Sequence, residues 1–172
     1  MKDGEHFGTI PGCGDKKILF KSGSEKLNLM FRLSPTYHEQ RIDYPNGHRE
    51  YIINCTLTHI NSGLTWGQGV GSCSTLENKF RYRWDDTGRD VPEEYWESRD
   101  SDVLGGPQFS VRKVAGKWKI YQKVEHDNPA DYYNTVLKMA KKRAHVDATL
   151  TATAASDIFT QDIEDDVENG VY

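Results

Sequence analysis

The chain has 172 residues, 36% hydrophobic and 28% charged, proportions that suit one compact body and hardly allow a second sizeable core. Its formal charge is −4, yet Asp157, Asp162, Glu164, Asp165, Asp166 and Glu168 share a final stretch without Lys or Arg, so the remainder carries +2. No apolar run is long enough to span a bilayer and MKDGEHFG lacks the apolar centre of a secretory signal, so a cytoplasmic protein with no membrane partner is expected.

After an irregular GTIPGCGD loop, Ser22-x-x-Glu25 fits a capping box and Leu27, Met30 and Phe31 follow at helical spacing, which predicts a helix over 23–33. Asn46-Gly47 then separates two Tyr- and Ile-rich stretches, the signature of a hairpin with strands near 37–44 and 48–60. In the second strand Tyr51, Ile53, Cys55 and Leu57 form the more apolar face. A turn at 61–63 leads to a strand in which Gly67, Gly69 and Gly71 leave one side bare, open to a close backbone or a ligand. The spacing matches neither a phosphate loop nor a dinucleotide turn, so structural glycine is the better reading.

Lys79-Phe80-Arg81-Tyr82-Arg83-Trp84 alternates cations with rings. In an extended segment this either grips single-stranded nucleic acid or marks an edge strand with solvated charges. Residues 85–107, rich in Asp, Gly and Pro, read as a surface excursion, and Ala115-Gly116 centres a second hairpin over 108–124. Asp127 or Asn128 caps a long helix with Pro129 in its first turn. Along that helix Val136, Ala140, Ala144, Ala148 and Ala152 recur every fourth residue and make a narrow packing ridge. The expected architecture is α+β, an antiparallel β-meander with hairpins and a long C-terminal helix packed on one face. One domain is expected over 1–156, with a flexible acidic tail over 157–172.

Off the ridge, Lys138, Lys141, Lys142, Arg143 and His145 put five potential cations in eight residues, and Lys138, Lys141 and Lys142 have no acid at i+4. Arg112, Lys113, Lys117, Lys119 and Lys123, interleaved with Trp118 and Tyr121, add a further basic stretch. The candidate nucleic-acid-binding residues are therefore Lys79, Arg81, Arg83, Arg112, Lys113, Lys138, Lys141, Lys142 and Arg143. The acidic end is either solvated or competes with nucleic acid and recruits a protein partner. Three cysteines without a CxxC pair and six scattered histidines imply neither a disulfide framework nor a metal site. GSCS is no nucleophile elbow, and paired acids such as Asp85-Asp86 lie in polar segments, so no enzyme and no cofactor are expected. A nuclease would require acids converging with a lysine at a strand end.

The segments HFGTIPGCGDKKILFKSGSEKL, HREYIINCTLTHINSGLTWGQGVGSCSTLENKFRYR and YNTVLKMAKKRAHVDATLTATAASDIFTQDIED resemble a group of phage and prophage recombination proteins. That group is similar to the single-strand annealing proteins of the Rad52, RecT and Erf kind, chiefly in the order of a β-meander followed by an A-x-x-x-A helix with adjacent basic residues. The resemblance implies a protein of the bacterial host cytoplasm that binds single-stranded DNA without a nucleotide cofactor. It also implies a homo-oligomeric ring or filament that pairs complementary strands in recombination and repair. It carries over to Lys138, Lys141, Lys142 and Arg143, and to Lys79, Arg81 and Arg83. Relatives with a cysteine-rich insertion at 85–107 have no counterpart here, so zinc is not implied, and longer relatives continue ahead of MKDGEHFG. The rival expectation is a protein-interaction module, a phage factor that engages a host defence or replication protein.

Overall fold

The computed structural model describes residues 1–9 and 17–160. In chain order the elements are β1 (Phe7–Gly8), β2 (Lys17–Leu19), α1 (Lys21–Met30), β3 (Leu33–Asp43), β4 (Arg49–His59) and β5 (Thr65–Ser74), then α2 (Asn78–Arg81), β6 (Tyr82–Asp90) and α3 (Glu93–Ser98). They continue with β7 (Phe109–Val114), β8 (Lys117–Glu125), α4 (Tyr133–Thr153) and β9 (Phe159–Thr160). The fold is α+β, with antiparallel sheets and a C-terminal helix. Two compact units divide it, one made of Met1–Thr75 with Ala130–Tyr172 and the other of Leu76–Pro129.

In the first unit β3, β4 and β5 form an antiparallel meander in that order. The β3–β4 turn forms at Asn46-Gly47, where both residues adopt left-handed backbone (φ 61° and 78°), the geometry that Asn and Gly tolerate best. Tyr51, Ile53, Cys55 and Leu57 are buried on one face, as their alternation predicts. Helix α4 lies on that face. Val136, Ala140, Ala144 and Ala148 have no exposed surface, and Ala140, Ala144, Ala148 and Ala152 meet the bare side of β5. A methyl on Gly67 would stand 2.8 Å from the Ala152 Cβ, and one on Gly69 or Gly71 would run into the backbone of Ala148 or Ala144. Glycines on the strand and alanines on the helix therefore interlock, and the close approach of two backbones explains both patterns at once.

A smaller sheet, β1-β2-β9, flanks α4, and its β2–β9 pairing is parallel. Leu19, Val146, Leu150, Ala155 and Phe159 form its core, with Phe7 and Leu27 packed against it. The tail expected from residue 157 thus begins in ordered structure: Phe159 is buried and its ring lies 5.5 Å from that of Phe7. Residues 161–172, which hold Asp162 and the acids after it, lie outside the described residues.

Helix α1 starts at Lys21 without the capping box. Its N-cap is Phe20, and the Ser22 hydroxyl donates instead to the Glu5 carbonyl, drawn off by the N-terminal segment. Leu27 joins the core, whereas Leu29 and Met30 remain 73% and 71% exposed, because Ser24 and Asn28 occupy the buried side.

The second unit is built on the antiparallel sheet β6-β8-β7. The expected β7–β8 hairpin forms around Ala115 and Gly116, both with positive φ. Two expectations change here. Residues 78–81 are a short helix, so Lys79 and Arg81 do not alternate along a strand and Phe80 is buried. The stretch 85–107 is structured: it completes β6, then forms α3 and a 3₁₀ turn whose Leu104 is buried.

Candidate nucleic-acid interface

The ridge of α4 faces the sheet, so the helical rotation turns Lys138, Lys141 and Lys142 toward another side, where Lys138 and Lys141 are exposed and Lys142 half-buried. These three lysines meet Lys21 from the start of α1 and Tyr37 from β3 around a cavity of about 560 Å³. Thr135 and Met139 complete the lining, which contains no carboxylate. Lys21 pairs with Glu25 at 3.4 Å, but both side chains are more than half exposed, and such a pair is weak. Among the described residues no carboxylate pairs with Lys138 or Lys141. The Lys141 ammonium sits 4.4 Å from the centroid of the Tyr37 ring.

Beneath the ring lies a buried polar network. The Tyr37 hydroxyl is 2.7 Å from Nδ1 of His145, and the His145 Nε2 is 2.7 Å from the amide nitrogen of Asn28 on α1. The Thr149 hydroxyl donates to the His145 carbonyl at 2.8 Å. An amide nitrogen can only donate, so Nε2 accepts, and Nδ1 holds the proton that it gives to the Tyr37 oxygen. Burial pushes the Tyr37 phenol up to about 12, helped by the charges of Cys55 and Glu25. Burial also holds His145 below its usual value, with Lys21 adding to the effect and Glu25 opposing it. His145, counted above among the potential cations, is 3% exposed and acts as a neutral hydrogen-bonding group.

Arg143 departs from the lysine group. Its Nη1 donates to the Ser72 carbonyl at 2.6 Å, while the Asp147 carboxylate accepts the Val70 amide at 2.8 Å. Both side chains reach from α4 to β5, an edge strand of its sheet, and satisfy backbone groups there.

In the second unit the candidate cations mostly meet carboxylates. Lys79 pairs with Glu77 at 3.6 Å, Arg81 with Glu125 at 2.7 Å, and Arg83 with Asp85 at 3.0 Å and Asp127 at 3.1 Å. Hydrogen bonds to Glu125 and Asp85 raise the pKa of Arg81 and Arg83 respectively above the ordinary arginine value. Arg112 lies 4.7 Å from the Trp84 ring and Lys113 5.7 Å from Trp118, on opposite faces of the sheet by their register. The structure thus brings together Lys138, Lys141 and Lys142 and does not gather Lys79, Arg81, Arg83, Arg112 and Lys113 into one cradle of uncompensated charge.

Lys21, Tyr37, Thr135 and Met139 are the lining residues that sequence reasoning missed. Lys21 offered no cluster of its own, and Tyr37 looked like one more strand aromatic. Among the described residues no group of His, Cys, Asp and Glu is placed to hold a metal ion. Comparison with protein-family models, curated proteins and solved structures finds no match to this chain.

Proposed function

We propose that the chain binds single-stranded nucleic acid, DNA in a phage recombination setting, through the lysine-rimmed cavity of its first unit. Bound strands would then be annealed by an oligomer without a nucleotide cofactor. The observation that carries this reading is the cavity itself: four ammonium groups, a tyrosine ring and no carboxylate among its lining residues. Phosphates would replace water and counterions around Lys138 and Lys141 and compete with the weak, exposed Glu25 pair at Lys21, and no bond need be made or broken. A three-stranded antiparallel meander with a long helix across it also supports kinship with the Rad52-like annealing proteins.

Self-association has its own support. Leu29, Met30, Ile60 and Leu64 are each more than 60% exposed. Phe31 and Trp66, with ring centroids 6.5 Å apart, lie beside them at the end of α1 and the β4–β5 turn.

The test is oligonucleotide binding by fluorescence anisotropy across a salt series. If each of the four lysines meets a phosphate, log Kd should change with log salt at a slope of about 3 in magnitude. Lys141→Gln with Lys142→Gln should reduce that slope by about 1.4, and Lys141→Glu with Lys142→Glu should abolish binding with the circular dichroism spectrum unchanged. Full affinity in the charge-reversed protein would overturn the assignment.

A further inference from the structure

Tyr37 is held more firmly than a phosphate site requires. Its hydroxyl is fixed by His145, and His145 is fixed in turn by Asn28 from α1. Three elements thus converge to set the plane of one ring, and the face of that ring lines the cavity under Lys141. A volume of about 560 Å³ falls in the range of about 300–1,000 Å³ typical of sites that enclose small organic ligands, more than a lone phosphate needs. The remaining walls include the Met139 thioether and the alkyl stems of the lysines, soft apolar surfaces beneath charged tips.

We infer that the cavity takes a nucleotide, base as well as phosphate, with the Tyr37 ring as the stacking platform and Lys141 as a cover that shifts onto the phosphate when the base enters. This deepens the nucleic-acid reading and rests on it. The exchange is favourable in direction, because an exposed ammonium on a ring is held more weakly than a stacked base, while a phosphate beside Lys141 retains the cation. A ring already locked by its hydroxyl loses little freedom on stacking. His145 and Asn28 are positioning residues in this arrangement and need not touch the ligand.

The experiment compares two labelled strands of equal length and equal phosphate count, an oligothymidylate and a fully abasic strand, by anisotropy on the full chain. The wild-type protein should bind the abasic strand at least about fivefold more weakly, with about 150-fold as the upper end for one stack. Tyr37→Leu should collapse the affinity ratio between oligothymidylate and the abasic strand toward one, and Tyr37→Phe, which keeps the ring, should retain more of the preference. Equal affinity of the wild type for both strands overturns the platform, and that comparison decides even if Tyr37→Leu fails to fold. If both strands bind equally and Lys141→Glu with Lys142→Glu releases both, the phosphate reading stands while the base platform falls. If neither strand binds, both fall.

Discussion

Replacing Gly69 with alanine drives a methyl group into the backbone of α4 around Ala148 and Ala144. Neither partner can retreat, since Ala144 and Ala148 have no exposed surface and the strand is held by β4 on one side and by Asp147 at the neighbouring Val70 amide. Overpacking of this kind costs about 1–3 kcal/mol, and contact with backbone rather than a flexible side chain places it at the upper end. The alanine recovers roughly 0.5–1 kcal/mol by restricting the unfolded chain. The net loss expected is about 2 kcal/mol, which for a chain of this size lowers Tm by about 4–8 °C. Gly67→Ala supplies the internal comparison. It meets the Ala152 methyl at 2.8 Å and the Ala152 backbone at 3.0 Å near the end of the helix, a looser approach than that of a Gly69 methyl to the Ala148 nitrogen, so it should cost less than Gly69→Ala. Thermal and guanidinium melts of the two variants measure the difference. A Gly69→Ala protein within about 0.5 kcal/mol of wild type, or one more stable than Gly67→Ala, would refute the interlock.

His145 should make stability fall in mild acid. Its folded-state pKa lies below the ordinary 6.5, so the unfolded chain takes up the proton first; its contribution is complete above pH 6.5 and is lost as pH falls from there through the folded value. A protonated ring would also turn an Nε2 donor against the Asn28 amide nitrogen, breaking the network shared with Tyr37, while the nearby charges of Glu25 and Lys21 act on the ring in opposite directions. Guanidinium melts of wild type and His145→Gln between pH 7.5 and 5 should diverge in slope, and parallel curves would remove the buried histidine from the explanation. Asp147→Ala should speed hydrogen exchange at the Val70 amide and cost about 1 kcal/mol, the worth of a hydrogen bond near the surface. Unchanged exchange at Val70 would show that α4 does not guard this edge.

What could be read from the sequence depended on local chemistry. Asn46-Gly47 and, at the second hairpin, Gly116 announce their turns because left-handed backbone is required at those positions and few residues supply it, whereas Ala115 adopts positive φ without favouring it. The i, i+4 alanines and the i, i+2 glycines each declared a bare surface, and their mutual fit is the simplest reason for both. The pocket was only half legible. Lys138, Lys141 and Lys142 share one helical turn or neighbouring ones, whereas Tyr37 acquires its place from His145, 108 residues further along. Short helices at 78–81 and 93–98 escaped notice because each is too short for periodicity to show and is fixed by tertiary contacts such as buried Phe80.

Counting cations along the chain overstated the basic surface, and the reason lies in secondary structure. In the second unit the sheet register brings acids to the arginines: Tyr82 pairs with Glu125 across β6 and β8, which puts Glu125 within 2.7 Å of Arg81, and Arg83 has Asp85 two residues along the same side of its strand. A phosphate approaching these arginines must displace an intramolecular carboxylate, at modest cost because the pairs are exposed, but with no net gain of opposite charge. On α4 the alanine ridge occupies the sheet-facing side and the lysines are confined to the remaining arc, where the lining contains no acid. There a phosphate meets the Lys141 ring contact and the exposed Lys21–Glu25 pair, which is weak. The same close packing that forces alanine and glycine into the core therefore gathers the lysines of α4 beside Tyr37, and this coupling of packing to electrostatics is why the proposed site is placed on α4 rather than in the second unit.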